Sequence, residues 1–254
     1  MPYNLPSHSS IDTTLENRFW RTMSDQQRKI YQSEGDRYEA LISREDYQGN
    51  IPRAIDEIIH IDGLDVLDLG AGTGRLTLLL APRAKSIRAF DASAEMLRVC
   101  SDRLVATGLS NWQVDVADHR QLPIQDHSTD LVVSGWSVSY LAVWNQENGQ
   151  AELDKWLSEM KRVLHKDGTI ILFESLGTGN ETPIRLEHVE PVYQWLDANG
   201  FQNKWIRTDY QFASVEEAAD LAGFFFGEEM RARVLKNQSA ILPECTGVWW
   251  RRIE

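Results

Sequence analysis

Apolar and polar positions change their spacing along this chain in a regular order. Near the N-terminus, residues 11–30, 34–43 and 51–59 have the periodic apolar face of amphipathic helices. Between 64 and 174, short apolar runs typical of buried strands alternate with further helical segments. Strands that alternate with helices build βαβ units, so the pattern predicts a parallel sheet with helices on both faces.

A different order of elements follows in the C-terminal third. A loop rich in Gly, Thr and Asn should precede a helix that ends at Gly200. Ser214 and Glu217 have the spacing of a capping box, which predicts a second helical stretch between two strands. The predicted loop, helix, strand, helical stretch and last strand occupy 177–183, 186–199, 201–212, 214–236 and 245–251.

Length and composition fit one α/β domain with additions. The 254 residues are 42% hydrophobic, which is an ordinary share for a globular protein. We expect an N-terminal arm and helical cap over 1–50 and the main domain over 51–254. Within that domain, a helical insertion is expected at about 214–237, before the last strand.

The charge balance argues against nucleic acid as a partner. The formal net charge is −12, which repels a phosphate backbone. Arg231, Arg233 and Lys236, together with the terminal RRIE, form a basic cluster, which we interpret as a solvated face.

The remaining composition gives no sign of metal, disulfide or membrane. Cys100 and Cys245 are far apart, and the six histidines have no metal-ligand spacing. The N-terminus lacks the pattern of a signal peptide, and no apolar run approaches the roughly 20 residues that span a bilayer. We therefore expect a cytoplasmic protein without metal or membrane partners.

The sequence VLDLGAGTGR predicts a strand that runs through a glycine turn into a helix. Gly70, Gly72 and Gly74 allow a sharp bend and a close approach to a ligand, at which the helix N-terminus points its free N–H groups. A dinucleotide-binding turn has Gly or Ala at the next position, which is Arg75 here. With Asp68 two residues earlier, the pattern resembles motif I of the class I S-adenosylmethionine (SAM) methyltransferases. A tight turn without a ligand is the alternative.

A second acidic residue lies at the expected distance. Asp91 ends the next predicted strand, 21 residues after Gly70, and roughly 20 are expected for the carboxylate that binds ribose hydroxyls. The run FDASAEML also resembles the second strand of the family and the helix after it. The alternative makes Asp91 only the N-cap of a helix over 92–106.

Three further segments resemble the family in the same order. In DVADHRQLP, the acid four residues before Leu-Pro is Asp118, and the resemblance implies that it binds the adenine amino group beside the backbone N–H of His119. Asp130 opens the predicted fourth strand, LVVSGW. The segment 161–174 resembles the helix, turn and fifth strand of the family, with Asp167 and Gly168 in the turn. The resemblance covers fewer than half of the residues.

The resemblance implies a Rossmann-like, doubly wound sheet that is mostly parallel, with the last strand antiparallel between the fifth and sixth. SAM would then lie at the carboxyl ends of the parallel strands. A tyrosine of an N-terminal helix would cover it. The cofactor-binding residues expected on this basis are Asp68, Gly70, Ala71, Gly72, Gly74, Asp91, Ala92, Met96, Asp118, His119, Ser134 and Tyr38.

Methyl transfer requires the acceptor to be held in line with the methyl group, and a base is optional. We expect Trp136, Tyr140 and Tyr47 to face the acceptor, although each could instead belong to the packing. His188, Tyr140 and His119 are the candidate bases, in that order. The aromatic runs 224–226 and 249–250 could line a pocket or belong to the core.

We therefore expect a SAM-dependent methyltransferase that acts on a small molecule. A SAM-binding protein with a sensing or non-methylating role is one alternative. An RNA or protein methyltransferase is another, although the amino-group methylases of nucleic acids carry Asn/Asp-Pro-Pro-aromatic where this chain has SGWS. Arg75 and Asp118 argue against a nicotinamide dehydrogenase. The sequence leaves the acceptor atom and the oligomeric state open.

Overall fold

A computed structural model describes residues 25–145 and 147–254. The predicted arm and residues 11–24 of the first predicted helix lie outside this part of the chain. The helices are α1 (Asp25–Ser33), α2 (Gly35–Ile42), α3 (Asn50–Asp56), α4 (Arg75–Leu80), α5 (Ala94–Thr107), α6 (Val138–Val143), α7 (Gly149–Val163), α8 (Glu190–Ala198), α9 (Val215–Phe226) and α10 (Glu228–Asn237). The strands are β1 (Asp65–Leu69), β2 (Ser86–Asp91), β3 (Trp112–Val116), β4 (Thr129–Gly135), β5 (Leu164–Thr178), β6 (Gln202–Arg207), β7 (Tyr210–Gln211), β8 (Ile241–Leu242) and β9 (Glu244–Arg252).

Seven of the strands form one sheet in the order β3-β2-β1-β4-β5-β9-β6. Strands β3, β2, β1, β4 and β5 pair in parallel, and β9 is antiparallel to both of its neighbours. The predicted Rossmann-like sheet with an antiparallel last strand is confirmed. The strand order reverses between β1 and β4, which is where open sheets of this kind bind ligands.

Alternate side chains of the strands enter two separate cores. Leu67 packs with Trp156 of α7 and Tyr193 of α8 on one face. Its neighbour Val66 packs with Ile55 of α3 on the other face. The central strands are therefore buried on both sides, which explains their nearly continuous apolar sequence.

A third cluster joins the N-terminal helices to the C-terminal ones. Leu41 and Ile42 of α2 pack against Ala218 and Ala222 of α9. Ser214 caps α9, because its hydroxyl accepts from the N–H of Glu217 at 3.2 Å. The side chain of Glu217 accepts in return from the N–H of Ala213, one residue before the N-cap, so the predicted capping box is present only in its Ser214 half. Within the described residues, no helix has both the length and the apolar character that crossing a membrane requires.

Three element boundaries differ from the predictions. The strand predicted over 201–212 breaks at Thr208 and Asp209, and β7 pairs with β8 outside the main sheet. The helical stretch predicted over 214–236 breaks at Gly227, which has φ of 93°.

The turn predicted at Asp167 and Gly168 is instead an irregularity inside β5. Asp167 has φ of 68°, and the pairing of β4 with β5 shifts between Thr129 and Leu131. Residues 165–168 lie opposite the single residue Asp130, so β5 leaves its pairing with β4 there and resumes it at Thr169.

Candidate functional site

The glycine turn after β1 contains two positions that the fold requires and one that faces open space. Gly70, Gly72 and Gly74 all have positive φ, at 69°, 56° and 91°. A Cβ at Gly70 would overlap Ser137, and a Cβ at Gly74 would lie 2.6 Å from Sγ of Cys100. At Gly72 the nearest atom would be a ring carbon of Tyr38, 3.9 Å away. The turn therefore leaves room for a ligand at Gly72.

A cleft lies in front of this turn. The space in front of the turn, about 330 Å³ including the part open to solvent, is lined by 70–73 together with Tyr38, Asp68, Arg75 and Trp136. The cleft is also where the strand order reverses, so topology and free space indicate the same place.

Asp68 is buried at the end of β1, with 1% of its surface exposed. Its Oδ2 accepts from the hydroxyl of Thr77 at 2.6 Å, whereas Oδ1 has no partner among the described residues. Burial raises the pKa of Asp68 to about 7. A cationic ligand group beside Oδ1 would satisfy this oxygen and favour the ionised form.

Asp91 ties the end of β2 to the glycine turn. Its Oδ2 accepts from the N–H of Gly72 at 2.9 Å, and its Oδ1 accepts from the N–H of Ser93 at 2.8 Å. Burial raises its pKa, although these N–H groups act in the opposite direction. The N-cap of α5 is Ser93, whose hydroxyl accepts from the N–H of Met96. Asp91 is therefore not the residue that caps this helix.

The predicted adenine-binding pair lies after β3 with its carboxylate already paired. Arg120 donates to both oxygens of Asp118, from Nε at 2.8 Å and from Nη2 at 2.5 Å, and it also contacts Glu152. Burial opposes ionisation of Asp118, but the hydrogen bonds from Arg120 hold its pKa below the usual value. Oδ1 also accepts from the backbone N–H of Arg120 at 2.8 Å, so Oδ2 is the oxygen with a lone pair left for a further donor.

His119 is half-buried beside the glycine turn. Its Cε1 would lie 3.2 Å from a Cβ at Gly70, and its Nδ1 has no partner among the described residues. Burial lowers its pKa to about 4. The imidazole is therefore neutral at pH 7 and a weak base.

Aromatic side chains of α1, α2 and α9 cover the cleft. The ring of Tyr38 lies 5.8 Å from that of Tyr31 and 5.4 Å from that of Phe225. Tyr140 and Trp144 stack at 4.2 Å. Burial raises the pKa of Tyr140, so its hydroxyl keeps its proton at neutral pH.

Trp136 follows β4 and lies against a cation of the protein itself. The guanidinium carbon of Arg75 is 3.9 Å from the centre of its indole ring. Arg75 in turn forms an ion pair with Glu45, from Nη2 to Oε2 at 2.7 Å. The side chain of Glu45 is 1% exposed, and its Oε1 accepts from the hydroxyl of Thr208 at 3.0 Å.

Glu244, the first residue of β9, lies beside this ion pair. It is 2% exposed, and its Oε1 accepts from the hydroxyl of Ser175 at 2.6 Å. Its Oε2 has no partner among the described residues. Burial, followed by the nearby charge of Glu45, raises the pKa of Glu244.

Sequence reasoning missed Glu45 and Glu244. Glu45 lies in a turn between helices, and no motif identifies it. Glu244 carried an available signal, because an antiparallel last strand begins at the edge where the parallel strands end. A charged residue at the start of such a strand is a candidate for the site.

The other residues predicted to bind the cofactor lie on several elements. Ala71 and Gly74 belong to the turn, and Met96 is buried on α5. The hydroxyl of Ser134 donates to the carbonyl of Leu69 at 2.7 Å, and Ala92 is half-buried directly after Asp91.

Two predicted residues lie away from the cleft. His188 is exposed in the turn before α8, and its side chain forms no hydrogen bond or ion pair with another described residue. Tyr47 is 41% exposed, and its hydroxyl accepts from Gln48. The structure therefore does not bring either side chain to the site.

The two aromatic runs, 224–226 and 249–250, have different surroundings. Phe225 belongs to the cover, while Phe224 lies under Arg37, whose guanidinium carbon is 4.3 Å from the ring centre. Trp249 is buried and stacks on Tyr193 at 5.4 Å. The pair at 249–250 is thus part of the sheet packing.

Comparison with known proteins matches part of the sheet, including the glycine turn, to a described family of domains. Residues 67–172 match the family model described as a methyltransferase domain. The malonyl-[acyl-carrier protein] O-methyltransferase of Marinomonas sp. (strain MWYL1) is 28% identical over 210 residues, covering 80% of this chain and 73% of that protein. The ubiquinone/menaquinone biosynthesis C-methyltransferase UbiE of Legionella pneumophila (strain Corby) is 29% identical over 148 residues, covering 56% of this chain and 53% of that protein.

A solved structure shows the same fold. Phosphoethanolamine N-methyltransferase 2 of Haemonchus contortus, in complex with S-adenosyl-L-methionine, matches with a TM-score of 0.59 at 13% identity. The match covers 91% of this chain and 61% of that one. At this identity the likeness concerns the fold alone.

Proposed function

This chain belongs to the class I SAM-dependent methyltransferases, and we propose that it methylates a small acceptor that is uncharged or cationic. The acceptor binds between the N-terminal helices and the segment after Leu176. The observation that carries this proposal is the cleft at Gly72, where an open backbone lies beside the buried carboxyls of Asp68 and Asp91.

The residues of the cleft fit SAM, which supplies a methyl group on a sulfonium and also carries an ammonium group and a ribose. Asp68 has a buried oxygen without a partner, which suits the ammonium group. Asp91 keeps one lone pair on each oxygen beyond the N–H groups that it accepts, which suits two ribose hydroxyls. Asp118 and the backbone of His119 remain the proposed adenine contacts.

The N-terminal helices exclude water from the reacting centre in this proposal. Tyr38 is the side chain nearest to the open position at Gly72, and Tyr31 and Phe225 pack against it. Since displacement at a methyl group depends on alignment rather than on proton transfer, holding the acceptor is the main task of the protein. Neither Tyr140 nor His119 is a strong base at neutral pH, for the reasons of burial given above.

The charge of the molecule supports the acceptor class. The net charge of −12 repels anionic polymers, and two carboxyl groups, Glu45 and Glu244, lie beside the cleft-lining Arg75. Trp136 and Tyr38 add rigid apolar surface to the wall of the cleft.

Transfer of a tritiated methyl group tests the proposal. The protein is incubated with methyl-labelled SAM and with a cell extract that has been separated into small molecules, protein and RNA. The proposal expects label in the small-molecule fraction, and it expects Asp91→Ala to reduce this transfer strongly. Label confined to protein or RNA would contradict it, and absence of any transfer by a protein that binds SAM would favour a sensing role.

A further inference from the structure

We propose that Glu45, Arg75 and Glu244 form the subsite that binds the polar head of the acceptor, and that this head is a hydroxyl or an amine. The inference rests on the proposed methyl transfer and specifies the acceptor that the site takes. We refer to these three residues as the Glu-Arg-Glu cluster.

The fold brings the Glu-Arg-Glu cluster to the ligand edge from three distant parts of the chain. Glu45 lies in the turn after α2, Arg75 begins α4, and Glu244 begins β9. Thr178, at the end of β5, pairs with Glu244, so both lie where the parallel strands end. This is the edge at which sheets of this type bind their ligands.

Arg75 is the member of the cluster that reaches the cofactor cleft. Arg75 lines that cleft together with Gly72 and Trp136, and it also forms the ion pair with Glu45. A molecule that reaches Glu244 past Arg75 would therefore lie next to the open backbone at Gly72. This arrangement places an acceptor head and the cofactor in adjoining parts of one site.

The hydrogen bonds of the cluster are incomplete in a specific way. Glu45 has a partner for each oxygen, Arg75 and Thr208. In contrast, Oε2 of Glu244 and Nη1 of Arg75 make no hydrogen bond of good geometry with a described residue, although the hydroxyl of Thr178 lies near enough to Glu244 to lower its pKa. Buried polar atoms are almost always paired, so these two atoms are candidates for contacts with a ligand.

The charges of the cluster select the chemistry of that ligand. The charge of Arg75 is already balanced by Glu45, and burial favours the protonated form of Glu244, so an anionic head would find no unbalanced positive charge here. A hydroxyl can donate to Oε2 of Glu244 and accept from Nη1 of Arg75, which satisfies both free atoms. An amine satisfies the carboxyl and adds the positive charge that a buried carboxylate lacks.

A metal ion is not the ligand that these groups indicate. Within the described ranges, no group of three or more His, Cys, Asp or Glu side chains is placed to hold one.

Binding of three probes with the same ring and different heads tests the inference. Benzylamine, benzyl alcohol and benzoate are titrated by calorimetry or ligand-observed NMR into full-length protein saturated with S-adenosylhomocysteine. We expect benzylamine and benzyl alcohol to bind about tenfold or more tightly than benzoate, the effect of one hydrogen bond to a charged group.

The variant Glu244→Gln identifies the responsible residue. In this variant the affinity for benzylamine should fall by about tenfold, while the affinity for S-adenosylhomocysteine should change by no more than about twofold. The matched control is Glu159→Gln on α7, where Glu159 accepts from Arg162 and from the N–H of Leu122, away from the cluster. This control should leave all three probes unchanged.

The outcomes separate the inference from the proposed function. If S-adenosylhomocysteine binds but benzoate equals or exceeds the other probes, the inference is wrong and the proposed function stands. Unchanged benzylamine affinity in Glu244→Gln would overturn it as well. If S-adenosylhomocysteine does not bind, the proposed function itself fails. The order of the probes in the unsubstituted protein decides the question even if Glu244→Gln does not fold.

Discussion

The backbone N–H of Gly72 donates to Oδ2 of Asp91 at 2.9 Å. This hydrogen bond joins the one open position of the glycine turn to the last residue of the neighbouring strand. The two features that resembled a nucleoside site in the sequence are therefore in direct contact. The turn after β1 and the end of β2 are thus held together, so substitution of either Gly72 or Asp91 should weaken binding of the same ligand.

Asp91→Ala should weaken S-adenosylhomocysteine binding by about 1.5–3 kcal/mol, the usual value of hydrogen bonds to a charged acceptor. Isothermal titration calorimetry measures this change. Asp115→Ala, which removes an exposed acid of β3, is the matched control and should bind normally. Unchanged affinity in a folded Asp91→Ala protein would show that Asp91 serves only the turn.

Gly72→Val should abolish binding, because the branched side chain would enter the open space in front of the turn. Gly108→Val is a matched control, since Gly108 also has positive φ and open surroundings but lies at the end of α5. Both variants should lose about 1–2 kcal/mol of stability from the left-handed backbone, as urea unfolding would measure. Normal binding by Gly72→Val would place the ligand elsewhere.

Ligand binding should release protons at pH 7. Burial raises the pKa of Asp68 to about 7, so about half of the free protein carries a proton there. An ammonium group beside Oδ1 favours the ionised carboxylate, lowers this pKa and expels the proton. Calorimetry in phosphate and in Tris buffer should therefore give different apparent enthalpies, and Asp68→Asn should remove the difference. Proton uptake would contradict the assignment of Asp68.

Glu45→Gln should destabilise the protein by about 3 kcal/mol, because it leaves the guanidinium of Arg75 without its buried partner. Glu34→Gln is the control, since the ion pair of Glu34 with Lys29 is largely exposed. Urea unfolding followed by fluorescence measures both. Equal stability of the two variants would show that the pair between Glu45 and Arg75 contributes little to the fold.

Local patterns in the sequence were enough to predict the sheet and its turn. The strands around Val66 and Ile171 are buried on both faces, so their sequences are nearly continuous apolar runs that are easy to recognise. The spacing of the glycines likewise identifies the turn. Ser214 caps the helix as the spacing predicts, because capping depends on neighbours in sequence, although Glu217 accepts from the N–H of Ala213 and not from that of Ser214.

Features that depend on distant contacts could not be predicted in this way. The strand predicted over 201–212 breaks because Thr208 and Asp209 bond instead to Glu244, through a backbone and a side-chain hydrogen bond. Glu45 and Glu244 are brought together only by the folded sheet. The surroundings of Trp136 were likewise not predictable, since Arg75 reaches its ring from another element.

Calorimetric titration with S-adenosylhomocysteine and with NAD tests the central claim most directly. The cleft at Gly72 should accept one nucleoside joined to an amino acid and should lack room for a second nucleotide. S-adenosylhomocysteine should therefore bind the unsubstituted protein and raise its melting temperature, whereas NAD should do neither. At a ligand concentration of one hundred times Kd, S-adenosylhomocysteine should add about 2.7 kcal/mol to the free energy of unfolding. Equal binding of NAD, or binding of S-adenosylhomocysteine that survives both Gly72→Val and Asp91→Ala, would contradict the account.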